Sequence, residues 1–443
     1  MKTLTLAVAL TLPGPAALAQ AARAAPPAPR PVLGLGEAVR TALEHQPQIR
    51  QAQANRDVAS ARAESARAPL LPQLRGEAFY DWNTSNSGPK AGPAGTITPA
   101  TGTSFARSES VGASATLSQV LFDAAQFQRY RSALAAESAL EASQRAAALQ
   151  IAAAARAAFF AARAARDLVA VARETLANEE AHLRQAQAFV EVGTRPEIDL
   201  AQARAARANA AVQLIQAENG YDTARAQLAQ AMGVERATDF EVGDDVLPPI
   251  PREEEPLDAL FAEALSARPE LASFREQERA QALARSAARA GYLPTVGAQT
   301  GILTQGPTWP AAVPNWNTGV TLTWNLFQGG ATRAAVHESE ATLDLLTAQE
   351  EQFRQQVRLD VEQARLAVRA ARATLGAAGE AVAAAKDRLR LAEGRYQAGA
   401  GSIIELGDAQ VAAASAAAQA VRSDYDLSAS RALLLRALGR LNP

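Results

Sequence analysis

Cysteine is absent from this chain of 443 residues, and neither sign of charge dominates it. The missing cysteine excludes a disulfide scaffold, thiolate metal sites and a lipid-modified N-terminal cysteine. The formal net charge is -2, and arginines alternate with glutamates along the chain. Because phosphate binding needs clustered positive charge, we expect no nucleic-acid partner.

Reactive side chains are equally scarce. His45, His182 and His337 lie far apart, and none has the spacing of a metal ligand. No serine or threonine occupies a nucleophile elbow, and Gly34-Leu35-Gly36 is not a phosphate-binding loop. The sequence therefore predicts no catalytic residues, no metal site and no cofactor, and it does not indicate an enzyme.

Long apolar runs are also missing, so no transmembrane helix is predicted. At the N-terminus, Lys2 precedes an apolar run and a Pro13-Gly14-Pro15 break, followed by small residues up to Ala19. This layout predicts a cleavable export signal over residues 1–19, with cleavage after Ala24 as the alternative. An exported chain of this kind is periplasmic, secreted or part of a barrel.

The most informative feature present is an internal duplication. Residues 35–233 and 257–439 each contain an amphipathic helix, a Leu-Pro break, two alternating runs and a long helical stretch with one glycine interruption. Residues 234–256 link the two copies, and Glu253, Glu254 and Glu255 in this linker are expected to form a solvated loop. The matching landmarks are His45-Gln46-Pro47 with Ala267-Arg268-Pro269, Leu71-Pro72 with Leu293-Pro294, Leu121-Phe122 with Leu326-Phe327, and Gly193 with Gly399.

Four runs have the period-two alternation of strands, at about 74–83, 108–122, 294–304 and 315–327. Each is about as long as the 9 to 11 residues that a tilted strand needs to cross a bilayer. A soluble hairpin with one wet face is the alternative for any single run. Four strands cannot close a barrel, and lipid tolerates no open sheet edge, so we expect a transmembrane barrel shared between chains.

The helical stretches are too long for a globular domain. Residues 123–192 contain no proline or glycine, which predicts one helix of roughly 105 Å. A second long helix is expected at 330–398, and return helices are expected at 195–232 and 402–438. Such helices need partners, and alanine on every face favours many helices side by side. We therefore expect a mixed fold, in which a long α-helical coiled-coil barrel continues into the shared β-barrel.

The two glycine turns have similar sequences. Thr194 with Glu197, and Ser402 with Glu405, fit the S/T-x-x-E capping box. With the duplication, the Leu-Pro and Leu-Phe landmarks and the alternating runs, these turns make the chain resemble the TolC-like outer-membrane efflux proteins.

That resemblance covers nearly the whole mature chain. It implies a homotrimer with a 12-stranded barrel in the outer-membrane lipid and a 12-helix tunnel in the periplasm. It further implies a passive exit duct for small molecules, whose iris-like periplasmic gate opens when an adaptor (membrane fusion) protein and an inner-membrane pump dock. No particular cargo is predicted, and drugs, metals and proteins all stay open.

The resemblance also assigns roles in the turns. Glu405 and Asp408 are expected to ring the pore constriction, and Tyr396 and Asp199 to form a latch that holds the gate closed. Gly401 stands where the family has its latch arginine, so the latch is expected to be weaker, or to be rebuilt with another residue such as Arg195 or Arg395. The turn residues expected to contact the adaptor are Gly193, Thr194, Gly399 and Gly401.

Each role has an alternative. Glu405 fits a helix cap, Asp408 a solvated side chain and Tyr396 ordinary helix packing. Two other functions are also compatible with parts of the pattern. The outer-membrane component of a type I protein secretion system needs the same architecture, whereas a periplasmic coiled-coil adaptor or scaffold explains the helices but not four amphipathic strands.

Overall fold

The computed structural model describes residues 31–86, 90–91, 97–98, 105–235 and 239–442. The expected signal peptide, residues 1–19 or 1–24, lies outside these residues, as does most of the loop between the first two strand runs. Within the described ranges, no helix combines the length and the apolar character needed to cross a membrane.

Apart from one short additional strand pair in the first half, the two halves of the chain contain the same strands and α-helices in the same order. The first half has β1 (Val32–Leu33), α1 (Leu35–His45), α2 (Pro47–Arg67), β2 (Gln73–Asn86), β3 (Lys90–Ala91), β4 (Ile97–Thr98), β5 (Phe105–Phe122), α3 (Ala124–Glu191) and α4 (Glu197–Met232). The second has β6 (Glu241–Val242), α5 (Leu257–Ala267), α6 (Pro269–Arg289), β7 (Thr295–Gly306), β8 (Val313–Thr323), α7 (Ala331–Gln397) and α8 (Ile403–Leu438). The internal duplication is therefore structural.

The sequence predicts a single amphipathic helix at the start of each copy. This prediction is wrong, because each copy begins with two helices. The second helix of each pair begins at a proline, Pro47 or Pro269. The residues before these prolines, Gln46 and Arg268, have extended backbones. A residue that precedes proline is disfavoured in the α conformation, so the helix must break there.

The main sheet has four antiparallel strands in the order β2-β5-β7-β8. Strand β2 pairs with β5 from Gln73 opposite Ser118, and β7 pairs with β8 from Thr295 opposite Thr323. The outer edges of β2 and β8 have no partner strand in the described chain. The four strands expected from the sequence therefore form one sheet with two open edges.

Strand β8 ends earlier than the expected residue 327. Its partner β7 begins at Thr295, directly after Pro294, so no backbone remains to pair with the residues after Thr323. Phe327 lies beyond the strand and is 88% exposed. In the first copy, by contrast, β5 runs to Phe122, and the next residue, Asp123, caps α3 by accepting from the amide of Gln126 at 2.9 Å.

Helix α3 organises the helical layer. Near the sheet it contacts α2 and α6, and farther from the sheet it contacts α4 and α8, while α7 contacts α6 and then α8. The layer is thus four helices wide at both levels. Most of the buried residues of α3 are alanines, which let neighbouring helices approach closely.

The linker between the copies is more than the solvated loop expected for Glu253, Glu254 and Glu255. The Glu253 side chain is only 4% exposed. It accepts from Arg431 Nε of α8 at 3.2 Å and from the amide of Ile250 at 2.9 Å, and it also pairs with Arg372 of α7. The expectation is wrong for Glu253 because burial of Leu247 and Ile250 draws the linker onto the helices.

A buried pair of carboxyl groups joins α6 to α7. Glu350 of α7 is buried and accepts from Arg354 at 2.8 Å, and one buried oxygen of Glu278 on α6 has no hydrogen-bond donor among the described residues. Burial raises the pKa of Glu278, and the negative charge of Glu350 raises it further. Glu278 is therefore harder to ionise in the folded protein than in the unfolded chain.

This pair predicts a loss of stability as pH rises. The folded-state pKa of Glu278 lies above the ordinary value. The stability that Glu278 contributes is therefore complete below the ordinary pKa and is lost as pH rises through the raised pKa. Glu278→Gln should flatten this part of the stability profile and raise the melting temperature at neutral pH. Thermal unfolding of the detergent-solubilised protein from about pH 4 to about pH 8 measures it. Glu276→Gln is the control, and identical profiles for both variants would contradict the prediction.

Candidate functional site

The candidate site is the pair of helical turns at the end of the molecule far from the sheet. Gly193 ends α3 and Gly399 ends α7, with φ angles of 75° and 74°. This left-handed conformation is the usual helix stop, and it favours glycine because a side chain would be strained there. The turns bring residues of the two copies, separated by about two hundred positions in sequence, into contact.

Tyr396 lies at the centre of this contact and is only 1% exposed. It belongs to the last turn of α7, and its ring centroid is 6.1 Å from that of Phe189 on α3. Leu406 and Ala409 of α8 complete the apolar cluster. The packing role that the sequence offered as an alternative for Tyr396 is therefore present, whatever further role the residue has.

Asp199 is buried in the first turn of α4 and faces Tyr396. Burial raises the pKa of Tyr396, the negative charge of Asp199 raises it further, and the positive charge of Arg195 opposes the rise. Among the described residues, the Tyr396 hydroxyl has no hydrogen-bond partner of good geometry. The structure thus brings together the two residues expected to form the latch, and their coupling is chiefly electrostatic.

Arg195 spans the two turns. Its guanidinium lies 4.8 Å from the centroid of the Tyr396 ring. Nη2 of Arg195 donates to the carbonyl oxygen of Gly401 at 3.0 Å and to that of Tyr396 at 3.3 Å. A Cβ atom at Gly401 would come within 3.0 Å of the Tyr396 backbone nitrogen, so the turn is closely packed here.

Arg395, the other arginine that the sequence offered, makes different contacts. Its Nη1 lies 3.2 Å from Oε1 of Glu405, and both side chains are partly exposed. Arg195 is therefore the arginine whose side chain bonds to Gly401. The sequence could not decide between the two because both flank a turn.

One of the two expected capping boxes is wrong. Oγ of Ser402 accepts from the amide of Glu405 at 3.1 Å, as predicted for α8. Oγ1 of Thr194 instead donates to the carbonyl oxygen of Phe189 at 2.9 Å, which closes α3. Helix α4 begins after Pro196, whose side chain cannot cap it, and the carbonyl oxygen of Pro196 accepts from the amide of Asp199 at 3.1 Å.

Glu405 and Asp408 lie in the first two turns of α8 and are not buried, unlike their neighbours Leu406 and Ala409. Asp408 is exposed, and no ion pair involves it in the part of the chain that the structure describes. The carboxylate of Glu405 is partly neutralised by Arg395. A single chain places these acids on a free surface but does not form a ring.

Of the four turn residues expected to contact an adaptor, Gly193, Thr194 and Gly399 are exposed at the tip. Gly401 is buried and its carbonyl oxygen is occupied by Arg195, so it offers no surface to a partner. That part of the expectation is wrong. Within the described ranges, no cluster of histidine, aspartate and glutamate could hold a metal ion.

One contact near the site was missed by sequence reasoning. His182 of α3 lies with its Nε2 3.5 Å from Oε1 of Glu393, one turn before Tyr396 on α7. The residues belong to different copies, on two helices that both run from the sheet to the tip, and only the packing of the tips brings them together. No local motif contains that information.

Comparison with known proteins agrees with this geometry. A family model described as outer membrane efflux protein matches residues 38–234 and 260–440, one match for each copy. No curated protein matches the sequence.

Solved channel structures share the fold. The CmeC outer membrane channel of Campylobacter jejuni is 19% identical, with a TM-score of 0.77 over 91% of this chain and 85% of that one. The outer membrane protein VceC of Vibrio cholerae is 18% identical, with a TM-score of 0.77 over 92% and 96% of the two chains. The open state of the Neisseria gonorrhoeae MtrE outer membrane channel is 21% identical, with a TM-score of 0.74 over 93% and 89%.

Proposed function

Because this chain belongs to the outer membrane efflux protein family, we propose that it is the outer-membrane channel of a tripartite efflux pump, a passive exit duct for small molecules. The family predicted from the sequence motifs is confirmed, and so is the predicted fold class. The members of this family are channel proteins rather than enzymes. The observation that carries the proposal is the match of both copies to the family over most of the chain.

The channel is a homotrimer in this proposal. One side of the protomer presents β2, α2 and α4, and the other presents β8 and α7, so the sheet and the helical layer are open at the same two sides. Exposed Leu345, Leu359 and Leu366 are separated by 14 and 7 residues, so they share one face of α7, as expected for a helix that meets a neighbour. Three copies related by rotation would supply a barrel of twelve strands and a helical layer twelve helices wide.

The sheet belongs in the outer membrane. Tyr80 and Trp82 of β2, and Trp316, Val320 and Leu322 of β8, are exposed large apolar side chains at alternating positions. Contact with lipid accounts for such an exposed face, with the aromatic rings suited to the membrane interfaces. The export signal and the position of the helices in the periplasm are part of the same proposal.

The far end of the helices carries the gate and the docking surface. Helix α3 has 68 residues, which places the turns roughly 100 Å from the sheet. The exposed Gly193, Thr194 and Gly399 lie where a periplasmic adaptor and an inner-membrane pump would approach. In the closed state, Arg195, Tyr396 and Asp199 hold the two turns of each protomer together.

Conductance in a planar bilayer tests the proposed gate. Threefold symmetry would bring three copies of Glu405 and Asp408 around one axis, and such a ring favours cations. Replacing both residues with alanine should raise the conductance and lower the preference for cations over anions by at least about twofold. Asp258→Ala, which removes an exposed acid of α5, is the control.

An unchanged ion preference would remove the carboxylate ring from the proposal.

The assembly has a separate test. A heat-sensitive trimer in detergent-extracted outer membranes is expected, whereas a pool that is soluble without detergent would indicate a periplasmic scaffold and contradict the channel.

A further inference from the structure

Helix α7 is held by buried side chains along its middle third, from Glu350 to Ala371. Val357, Val361 and Val368 are buried in the main apolar core. At the end of this part, Arg372 pairs with Glu253 and Glu254 of the linker. Glu253 also pairs with Arg431 of α8. Both helices of the second helical hairpin, α7 and α8, are therefore fixed to the linker near Arg372.

From Arg372 toward the tip of the helix, the packing of α7 changes. Between residues 373 and 391 the only buried residue of the helix is Ala378. The next buried residues, Ala392 and Tyr396, already belong to the apolar cluster of the tip. This stretch therefore joins two anchored regions without a large buried side chain of its own.

Two glycines lie in this stretch, Gly376 and Gly379. A Cβ atom at either position would meet nothing within 4 Å, so packing within the protomer does not require glycine there. Glycine in a helix interior costs about 1 kcal/mol relative to alanine because it favours unfolded and bent conformations. A helix that carries two of them at positions that its own protomer leaves uncovered is locally easy to bend.

The first copy lacks this feature. With the 206-residue spacing that relates Gly193 to Gly399, the equivalents of Gly376 and Gly379 are Ala170 and Arg173 of α3. Helix α3 has no glycine from Ala124 to Glu191, and other helices pack against it along both of its halves. The two long helices therefore differ in stiffness at equivalent positions.

We propose that Gly376 and Gly379 form a hinge in α7, about which the α7–α8 tip moves while the α3–α4 tip stays in place. This inference rests on the proposed gate and says where its motion occurs. The fixed point is the contact between Arg372 and Glu253, which lies next to the hinge on the side nearer the sheet. The moving part carries Tyr396, Gly401, Glu405 and Asp408 away from Arg195.

Alanine substitution at the hinge is the test. In an Arg195→Ala background, where the turns are released, the channel should be mainly open. Adding Gly376→Ala and Gly379→Ala should shift the equilibrium back toward the closed state, by about fivefold for each position and roughly 25-fold for both. Gly220→Ala in α4, also a helical glycine with open space around it, is the matched control and should change nothing.

A distance measurement gives a readout independent of conductance. Because the chain has no cysteine, one spin label can be attached through Asp387→Cys below the hinge or Gln355→Cys above it. Arg195→Ala should lengthen the distances between protomers at position 387 and leave those at 355 unchanged. The two hinge alanines should restore the shorter distances.

The possible results separate the two proposals. If Arg195→Ala changes neither conductance nor distance, the gate itself is refuted. If it changes both and the alanine pair does not reverse them, the hinge is refuted and the gate stands. Should the alanines prevent trimer formation, Ala377→Gly adds flexibility without adding atoms. That variant should then raise the open-to-closed ratio about fivefold, and no increase would overturn the hinge.

Discussion

Arg195→Ala is expected to open the channel in the absence of any partner protein. The substitution removes the guanidinium that lies over the Tyr396 ring and donates to the carbonyl oxygens of Gly401 and Tyr396. A cation–π contact and hydrogen bonds from a charged donor together contribute about 2 kcal/mol in a partly buried site. That corresponds to a roughly 30-fold higher open-to-closed ratio for each protomer.

Single-channel recording of the purified trimer measures this effect, and the turn supplies its own control. Arg395→Ala removes an arginine of the same size that pairs only with exposed or partly exposed groups around Glu405. Its effect on the open fraction should be small. Equal effects of the two variants would show that net charge at the tip, and not the Arg195 contact, holds the turns together.

Tyr396→Phe should open the channel less than Arg195→Ala does. Phenylalanine keeps the aromatic face under the guanidinium, and the Tyr396 hydroxyl has no well-formed hydrogen bond among the described residues to lose. The variant also removes a buried hydroxyl beside the carboxylate of Asp199, whose charge raises the pKa of that hydroxyl. The ring, more than the hydroxyl, is therefore the part of Tyr396 that the latch uses.

The sequence predicted the long helices and the strands well because their signals are local. Absence of glycine and proline defines α3 almost to its ends, and period-two alternation defines β2 and β5. The end of β8 was placed too late for a different reason. Trp324 and Leu326 continue the alternation, but a strand also needs a partner, and β7 has none to offer before Thr295.

The site shows the same division between local and distant information. The helix stops at Gly193 and Gly399 could be read from the sequence, and so could the cap of α8 by Ser402. The capping box at Thr194 could not, because the same residues also fit the end of α3, and tertiary packing chooses between the two. The contacts of Arg195 and Glu253 join distant parts of the chain, so only the structure identifies them.

The contacts between the two tips depend on the differences between the copies. The first tip supplies Arg195 and Asp199, and the second supplies Tyr396 and the carbonyl oxygen of Gly401, which accepts from the arginine. Neither tip could make these contacts with an identical copy of itself. The difference between the turns is therefore what allows one hairpin to hold the other.

Loss of the Glu253 carboxylate is expected to have the largest effect on stability. Glu253→Ala leaves Arg431, whose side chain is buried, without its carboxylate partner, and it removes one of the two acids that hold Arg372. Breaking a buried ion pair from one side costs about 3–5 kcal/mol, because the remaining charge stays in a poorly solvated place. Denaturant unfolding of the detergent-solubilised protein should show this loss as a lower transition midpoint.

Glu254→Ala is the matched control for this prediction. Glu254 is the next residue and pairs with the same Arg372, but its side chain is 77% exposed. An exposed pair contributes about 1 kcal/mol or less, so the control should unfold close to the parent. Similar losses for the two variants would mean that the linker is held by its net charge. A loss confined to Glu253→Ala would identify this residue as the anchor of α7 and α8, above which the second hairpin is fixed and below which it is free to bend.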